Sequence, residues 1–138
     1  MKKTRIFLGL LCALIALTVC KDPEEFEPDD PYDEETPAPP VFIRPLSGAI
    51  FACGQTKTVF FDWTHVEDAQ VYELQIDTSA NFSTDSIYTV NNPPIGINLI
   101  RYEARTTYYC RIRAGSVYWR RPYTDWSDVR IFYLVREI

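Results

Sequence analysis

His65 is the only histidine in the chain, and Asp62 lies three residues before it. A histidine base needs a nucleophile or a second acid held against it, and an isolated Asp–His pair supplies neither. The sequence has no glycine-rich phosphate loop and no Cys/His cluster with zinc spacing. Asp77, Ser79, Asn81, Ser83 and Asp85 alternate faintly like a calcium loop. The loop glycine and the terminal bidentate glutamate are absent, so Asx and Ser turn chemistry explains these residues better. No catalytic residue, metal or cofactor is therefore expected. The densest set of interaction-capable side chains is Tyr118, Trp119, Arg120, Arg121, Tyr123 and Trp126, within nine residues. Trp, Tyr and Arg are the types enriched at binding hot spots, and loops on rigid scaffolds often carry such residues. Flat aromatics also suit the apolar faces of sugar rings. Two readings of Tyr118, Trp119 and Tyr123 stay open: a binding surface, or a cover over the open end of a small domain.

The elements that must position this loop sit in the last of three segments. The first, residues 1–19, has a basic start (Lys2, Lys3, Arg5) and then 14 uncharged residues. That run is too short for a spanning helix, which needs roughly 20 apolar residues, and it fits the apolar region of a secretory signal. Its end, Leu17-Thr18-Val19-Cys20, resembles a bacterial lipobox, which implies diacylation of Cys20 and anchoring by its acyl chains. The second segment, residues 20–40, holds nine acids, one base and six prolines. Such a stretch buries too little apolar surface to offset its ordering entropy, so it reads as a disordered tether. Its Cys-Lys-Asp-Pro-Glu-Glu start resembles the export tag of Gram-negative surface lipoproteins. The expected location is the outer membrane facing outwards, or alternatively the periplasm.

The third segment, residues 41–138, balances ten bases against ten acids. The formal charge of −5 over all 138 residues therefore reports the tether and the leader, not the domain. A neutral domain has no field with which to gather a polyanion, which excludes non-specific nucleic-acid binding. The segment breaks into short β-rich runs with turn signals between them and no useful helical period. Residues 58–64, 70–76, 86–90, 95–102, 106–114 and 128–135 read as strands, with an edge strand within 42–51. The polar run 77–86 reads as a turn. Along 106–114, Tyr108, Cys110, Ile112 and Ala114 alternate with Tyr109, Arg111 and Arg113, giving one core face and one wet face. The expected fold is all-β, a seven-stranded antiparallel sandwich.

Four sets of residues, in order and properly spaced, give the segment a family likeness. Phe61-Asp62-Trp63 resembles strand B of a fibronectin type III domain, and Val66, Ala69 and Tyr72-Glu73-Leu74-Gln75-Ile76 resemble the B–C corner and strand C. Thr106-x-Tyr108-x-Cys110-x-Ile112-x-Ala114 resembles strand F, with Tyr108 at the tyrosine-corner position. Trp126-Ser127 and Phe132 resemble the start and core of strand G, and Tyr102 stands where the E–F corner usually has leucine. The resemblance implies that Trp126 lies across the outward Arg111 and Arg113 as a cation–π stack. It also implies that strands B and F run the same way in opposing sheets. Cys53 and Cys110 then either form a disulfide, the favoured reading in an exported domain, or remain two buried thiols. A bridge would close a loop of about 57 residues and contribute roughly 4 kcal/mol.

The function expected from these observations is a non-enzymatic, lipid-anchored surface binding module. Its F–G loop (Tyr118, Trp119, Arg120, Arg121, Tyr123) would engage a glycan or an envelope or extracellular protein. The alternative is a structural or assembly component, a spacer or accessory subunit, of an outer-membrane complex, since this architecture hosts many roles.

Overall fold

The computed structural model describes residues 34–84 and 86–138. The leader at 1–19, the lipidation candidate Cys20 and the tether through residue 33 lie outside the described residues. Eight strands follow one another: β1 Phe42–Arg44, β2 Ala49–Cys53, β3 Thr56–Trp63, β4 Val71–Asp77, β5 Ile87–Val90, β6 Ile95–Ile100, β7 Arg105–Gly115 and β8 Arg130–Arg136. They form two facing sheets, ordered β1-β3-β6 and β2-β8-β7-β4-β5. Strand-forming residues with period-2 burial produce this arrangement directly. On β7 the burial alternates so that Tyr108, Cys110, Ile112 and Ala114 enter the core. β3 contributes Val59, Phe61 and Trp63 from the opposite sheet, and β4 contributes Tyr72, Leu74 and Ile76.

Two corrections to the expected fold come from one place. The single edge strand expected within 42–51 is two strands, so there are eight strands among the described residues. β1 pairs antiparallel with β3, and the chain then crosses to the other sheet, where β2 pairs with β8 in parallel. The sandwich is therefore not purely antiparallel. The physical cause is local: Arg44-Pro45-Leu46-Ser47-Gly48 cannot continue a ladder, because Pro45 lacks an N–H and Gly48 adopts φ +78°. The break lets the chain serve both sheets and close one side of the sandwich.

The core is centred on Phe132 of β8, which is fully buried. Its ring stacks on Tyr108 at 5.5 Å and meets Phe61 at 5.8 Å and Phe51 at 6.0 Å edge-on. Tyr108 donates its hydroxyl hydrogen to the Ile100 carbonyl at 2.7 Å, tying β7 to the end of β6 across the corner between them. Two residues after Phe132, Leu134 completes the same layer. These contacts fix the first half of β7 against β6 and β8.

Candidate functional site

The loop between β7 and β8, residues 116–129, is built to return along β7. Thr124 N–H donates to the Ala114 carbonyl at 2.9 Å, and its hydroxyl accepts Ala114 N–H at 3.1 Å. Ser127 repeats the pattern on Ile112, at 2.8 and 3.0 Å. Two short hydroxyl side chains thus supply the ladder bonds that a strand would have made. Gly115 is needed where the turn closes: a Cβ there would lie 2.7 Å from the Tyr123 ring and 2.9 Å from Val71. The loop is consequently a fixed surface rather than a slack connection.

A second segment holds it down. Residues 34–40, assigned to the tether by composition, run against the loop. Glu34 bridges to Trp119, its carbonyl accepts Arg120 N–H at 2.9 Å, and Thr36 Oγ1 accepts Arg121 N–H at 3.0 Å. Pro40 is fully buried. The disordered reading of residues 20–40 therefore does not extend to 34–40, because these backbone groups find partners and Pro40 finds the core. Beneath this strap Trp119 is only 4% exposed and belongs to the core cluster. Its side chain covers the end of the sandwich and presents no face to a ligand. Tyr118 is 47% exposed, Arg120 and Arg121 are exposed, and Arg121 pairs with Asp125 at 3.1 Å.

Tyr123 is drawn into a different arrangement. The outer face of the five-stranded sheet carries a column of alternating rings and guanidinium groups. Arg111 lies 4.3 Å from the Phe82 ring and 4.4 Å from Trp126; Arg113 lies 4.5 Å from Trp126 and 4.2 Å from Tyr123. The two cations are steered from β4, with Arg111 Nε donating to Gln75 at 2.8 Å and Arg113 Nε to Glu73 at 2.7 Å. Burial and the Glu73 carboxylate raise the pKa of Tyr123. Trp126 thus sits between Arg111 and Arg113, while Tyr123 and Phe82 extend the column at its two ends. Sequence reasoning missed Phe82, because its run reads as a polar turn. The positive φ of 52° that turns Phe82 under the sheet leaves no hydrophobic period to read.

The remaining chemistry-bearing residues are not brought together. His65 Nδ1 lies 3.4 Å from the Tyr72 hydroxyl, while Asp62 accepts Trp63 N–H and pairs with Arg44 at 3.8 Å. Asp77 closes the 78–84 turn by accepting N–H groups from Ser79 at 2.9 Å and Thr84 at 2.8 Å. Burial acts to raise its pKa, but the hydrogen bonds from Thr84 and Ser79 outweigh it and hold the carboxyl below its ordinary value. Among the described residues, no group of three or more His, Cys, Asp or Glu could hold a metal ion.

The disulfide is corrected. Cys53 and Cys110 are both free and buried. Cys53 closes β2, not the following strand, and β2 and β7 flank β8 in one sheet. Cys53 lies opposite Arg136 and Cys110 opposite Arg130 on β8. That six-residue offset is about 20 Å along the strand, well beyond the roughly 7 Å a disulfide can span between Cα atoms. A chain carrying Cys12→Ala and Cys20→Ala is expected to show no reactive thiol when native and two after unfolding without reductant. An aromatic disulfide reagent reads both numbers, and fewer than two in the unfolded chain contradicts the geometry.

No protein-family model matches the chain. No curated protein matches it. Among solved structures it is similar to an Fn3-like protein from Clostridium thermocellum, at a TM-score of 0.39 and 20% identity, over 73% of this chain and 97% of that one. The sandwich fold itself rests on the strand order described above.

Proposed function

We propose that this chain is a fibronectin type III-like binding module without catalytic activity. In this reading it is carried on an acidic segment anchored by diacylated Cys20 at the outer membrane, facing outwards. Its partner is a glycan or an envelope or extracellular protein. The observation that supports it is the rigid β7–β8 loop, which holds Val117 and Tyr118 exposed beside Arg120 and Arg121. A fixed backbone spares the loop its ordering cost on binding, and a tyrosine loses little side-chain entropy. With Trp119 buried and Tyr123 stacked on Arg113, Tyr118 is the aromatic of this loop left to meet a partner.

The paired variant Tyr118→Ala, Arg121→Ala is expected to keep its melting temperature and lose at least tenfold in binding to cells. Wild-type binding by that variant removes the loop from consideration. Cys20→Ser is expected to abolish labelled-palmitate incorporation and to move the chain out of the membrane fraction.

A second reading, an assembly component of an envelope complex, is favoured by β2. Ala49-Ile50-Phe51-Ala52-Cys53 is an uncharged strand at the edge of its sheet, with Ile50 62% exposed. A groove of about 520 Å³ lies beside it, lined by Leu46, Phe51 and Phe60. Unblocked edges of this kind template strand addition. Loss of co-purifying envelope proteins in Ile50→Lys, with binding intact in the loop variant, selects this reading over the first.

A further inference from the structure

We propose that the opposite end of the sandwich carries a second site, which binds a saccharide ring on Tyr102. This end lies the full length of β7, about 33 Å at 3.3 Å per residue, from the loop along which residues 34–36 run. The corner between β6 and β7 is held from every side. Arg101 N–H donates to Gln55 O at 2.7 Å, and its guanidinium donates to Gly54 O at 2.7 Å and to Glu103 O. Thr106 Oγ1 accepts the N–H groups of Tyr102 at 2.9 Å and Glu103 at 3.2 Å. The side chain at the centre of this fixed backbone is nevertheless 67% exposed. None of the ring–ring or ring–cation contacts among the described residues involves Tyr102.

Tyr102 stands as the shared wall between two clefts of about 290 and 370 Å³. Small-molecule sites begin at about 300 Å³, so each cleft suits one small cyclic unit. Their walls are polar. Asn98 and Tyr88 line one cleft, Glu103, Arg105 and Thr107 the other, and Thr78 both. These side chains supply amide, phenol, carboxylate, guanidinium and hydroxyl groups in one place. The charge of Glu103 is opposed by Arg105, so the site selects neither a phosphate nor a polycation. A pyranose matches this composition: one C–H face for a flat ring, and a rim of hydroxyls that both donate and accept. Two clefts flanking one ring fit neighbouring units of a chain, with the middle of the chain over Tyr102. The Asp77 carboxylate on the wall is already occupied by Ser79 and Thr84 and takes no part.

Native gels cast separately with soluble xylan, β-glucan and mannan test this with the full chain. Retardation is expected in at least one gel, reduced at least tenfold by Tyr102→Ala and kept by Tyr102→Phe and by Tyr118→Ala. No retardation in any of the three gels overturns the proposal, as does wild-type retardation of Tyr102→Ala. Loss of retardation in Tyr118→Ala with Tyr102→Ala unaffected overturns it too, and assigns the sugar to the β7–β8 loop instead. Should Tyr102→Ala fail to fold, the pair Glu103→Ala, Thr107→Ala takes its place. Both residues lie outside the core, and unchanged retardation by that pair overturns the site equally.

Discussion

Replacing Trp119 by alanine is expected to destabilise the domain by about 3 kcal/mol or more, the range for emptying a core aromatic site. The residue lies in a loop, where most substitutions cost within about 0.5 kcal/mol, so the expectation depends on its burial. Three observations carry it. Trp119 is 4% exposed, it belongs to the same packed cluster as Phe42, Trp63 and Tyr72, and the backbone around it is fixed by Thr124, Ser127 and the Glu34 bridge. A loop held this firmly cannot collapse into the space the indole leaves. For a domain of this size the melting temperature should fall by more than about 12 °C. Tyr118→Ala, one residue away and half exposed, should move it by no more than a few degrees. Calorimetry on the two variants decides the matter, and near-equal melting temperatures would falsify the covering role.

Stability should fall steeply as the pH rises from 9 to 12. Burial pushes the Cys110 thiol from its ordinary 9.0 up to about 12. Burial, with nearby Tyr102 adding to it, takes Tyr108 from 10.0 to about 12. Both groups are neutral when protonated, and the folded state favours that form. Their contributions are therefore fully present below the unfolded-state values and are lost as the pH climbs through the folded ones. The thiol begins to weaken the fold above pH 9 and the phenol above pH 10. Each amounts to on the order of 3 kcal/mol once fully ionised. Deprotonation of Tyr108 also removes the hydrogen it donates to the Ile100 carbonyl. Urea midpoints at pH 8, 9.5 and 11 separate the two groups. Cys110→Ala should flatten the decline between 9 and 10, and Tyr108→Phe the decline above 10. A Tyr108→Phe protein that loses stability above pH 10 as fast as wild type contradicts the assignment to Tyr108.

The alternation of Tyr108, Cys110, Ile112 and Ala114 was legible in the sequence because a strand's burial has a period of two and needs no knowledge of its partner. What lies across the sheet is another matter. The parallel pairing of β2 with β8 joins Ala49 to Phe132, residues more than eighty apart, and no local pattern encodes it. The free thiols follow from the same pairing, since it sets Cys53 six residues along β8 from Cys110. Trp119 was ambiguous for a related reason. Its own neighbours are polar and exposed, and what covers it arrives from Glu34, in a stretch whose composition reads as unfolded. Trp126, by contrast, was expected across Arg111 and Arg113 from the family resemblance, with strand parity showing only that the two arginines point outwards; neither signal reached the Phe82 end of the column.

The strap of residues 34–39 gives the molecule a mechanical property. Any tension applied through the N-terminal extension reaches the Glu34–Arg120 and Thr36–Arg121 contacts before it reaches β1. One backbone bond and one bond to the Thr36 hydroxyl, loaded one after the other, give way before the paired strands do. Their release frees at most about 19 Å of chain at 3.1 Å per residue while both sheets stay intact. Beyond that point the load falls on buried Pro40 and on the pairing of Phe42 with Trp63, which resist together. The strap therefore acts as a short spring in series with a stiff body, so that a tug on the extension is taken up as slack before it can unfold the domain.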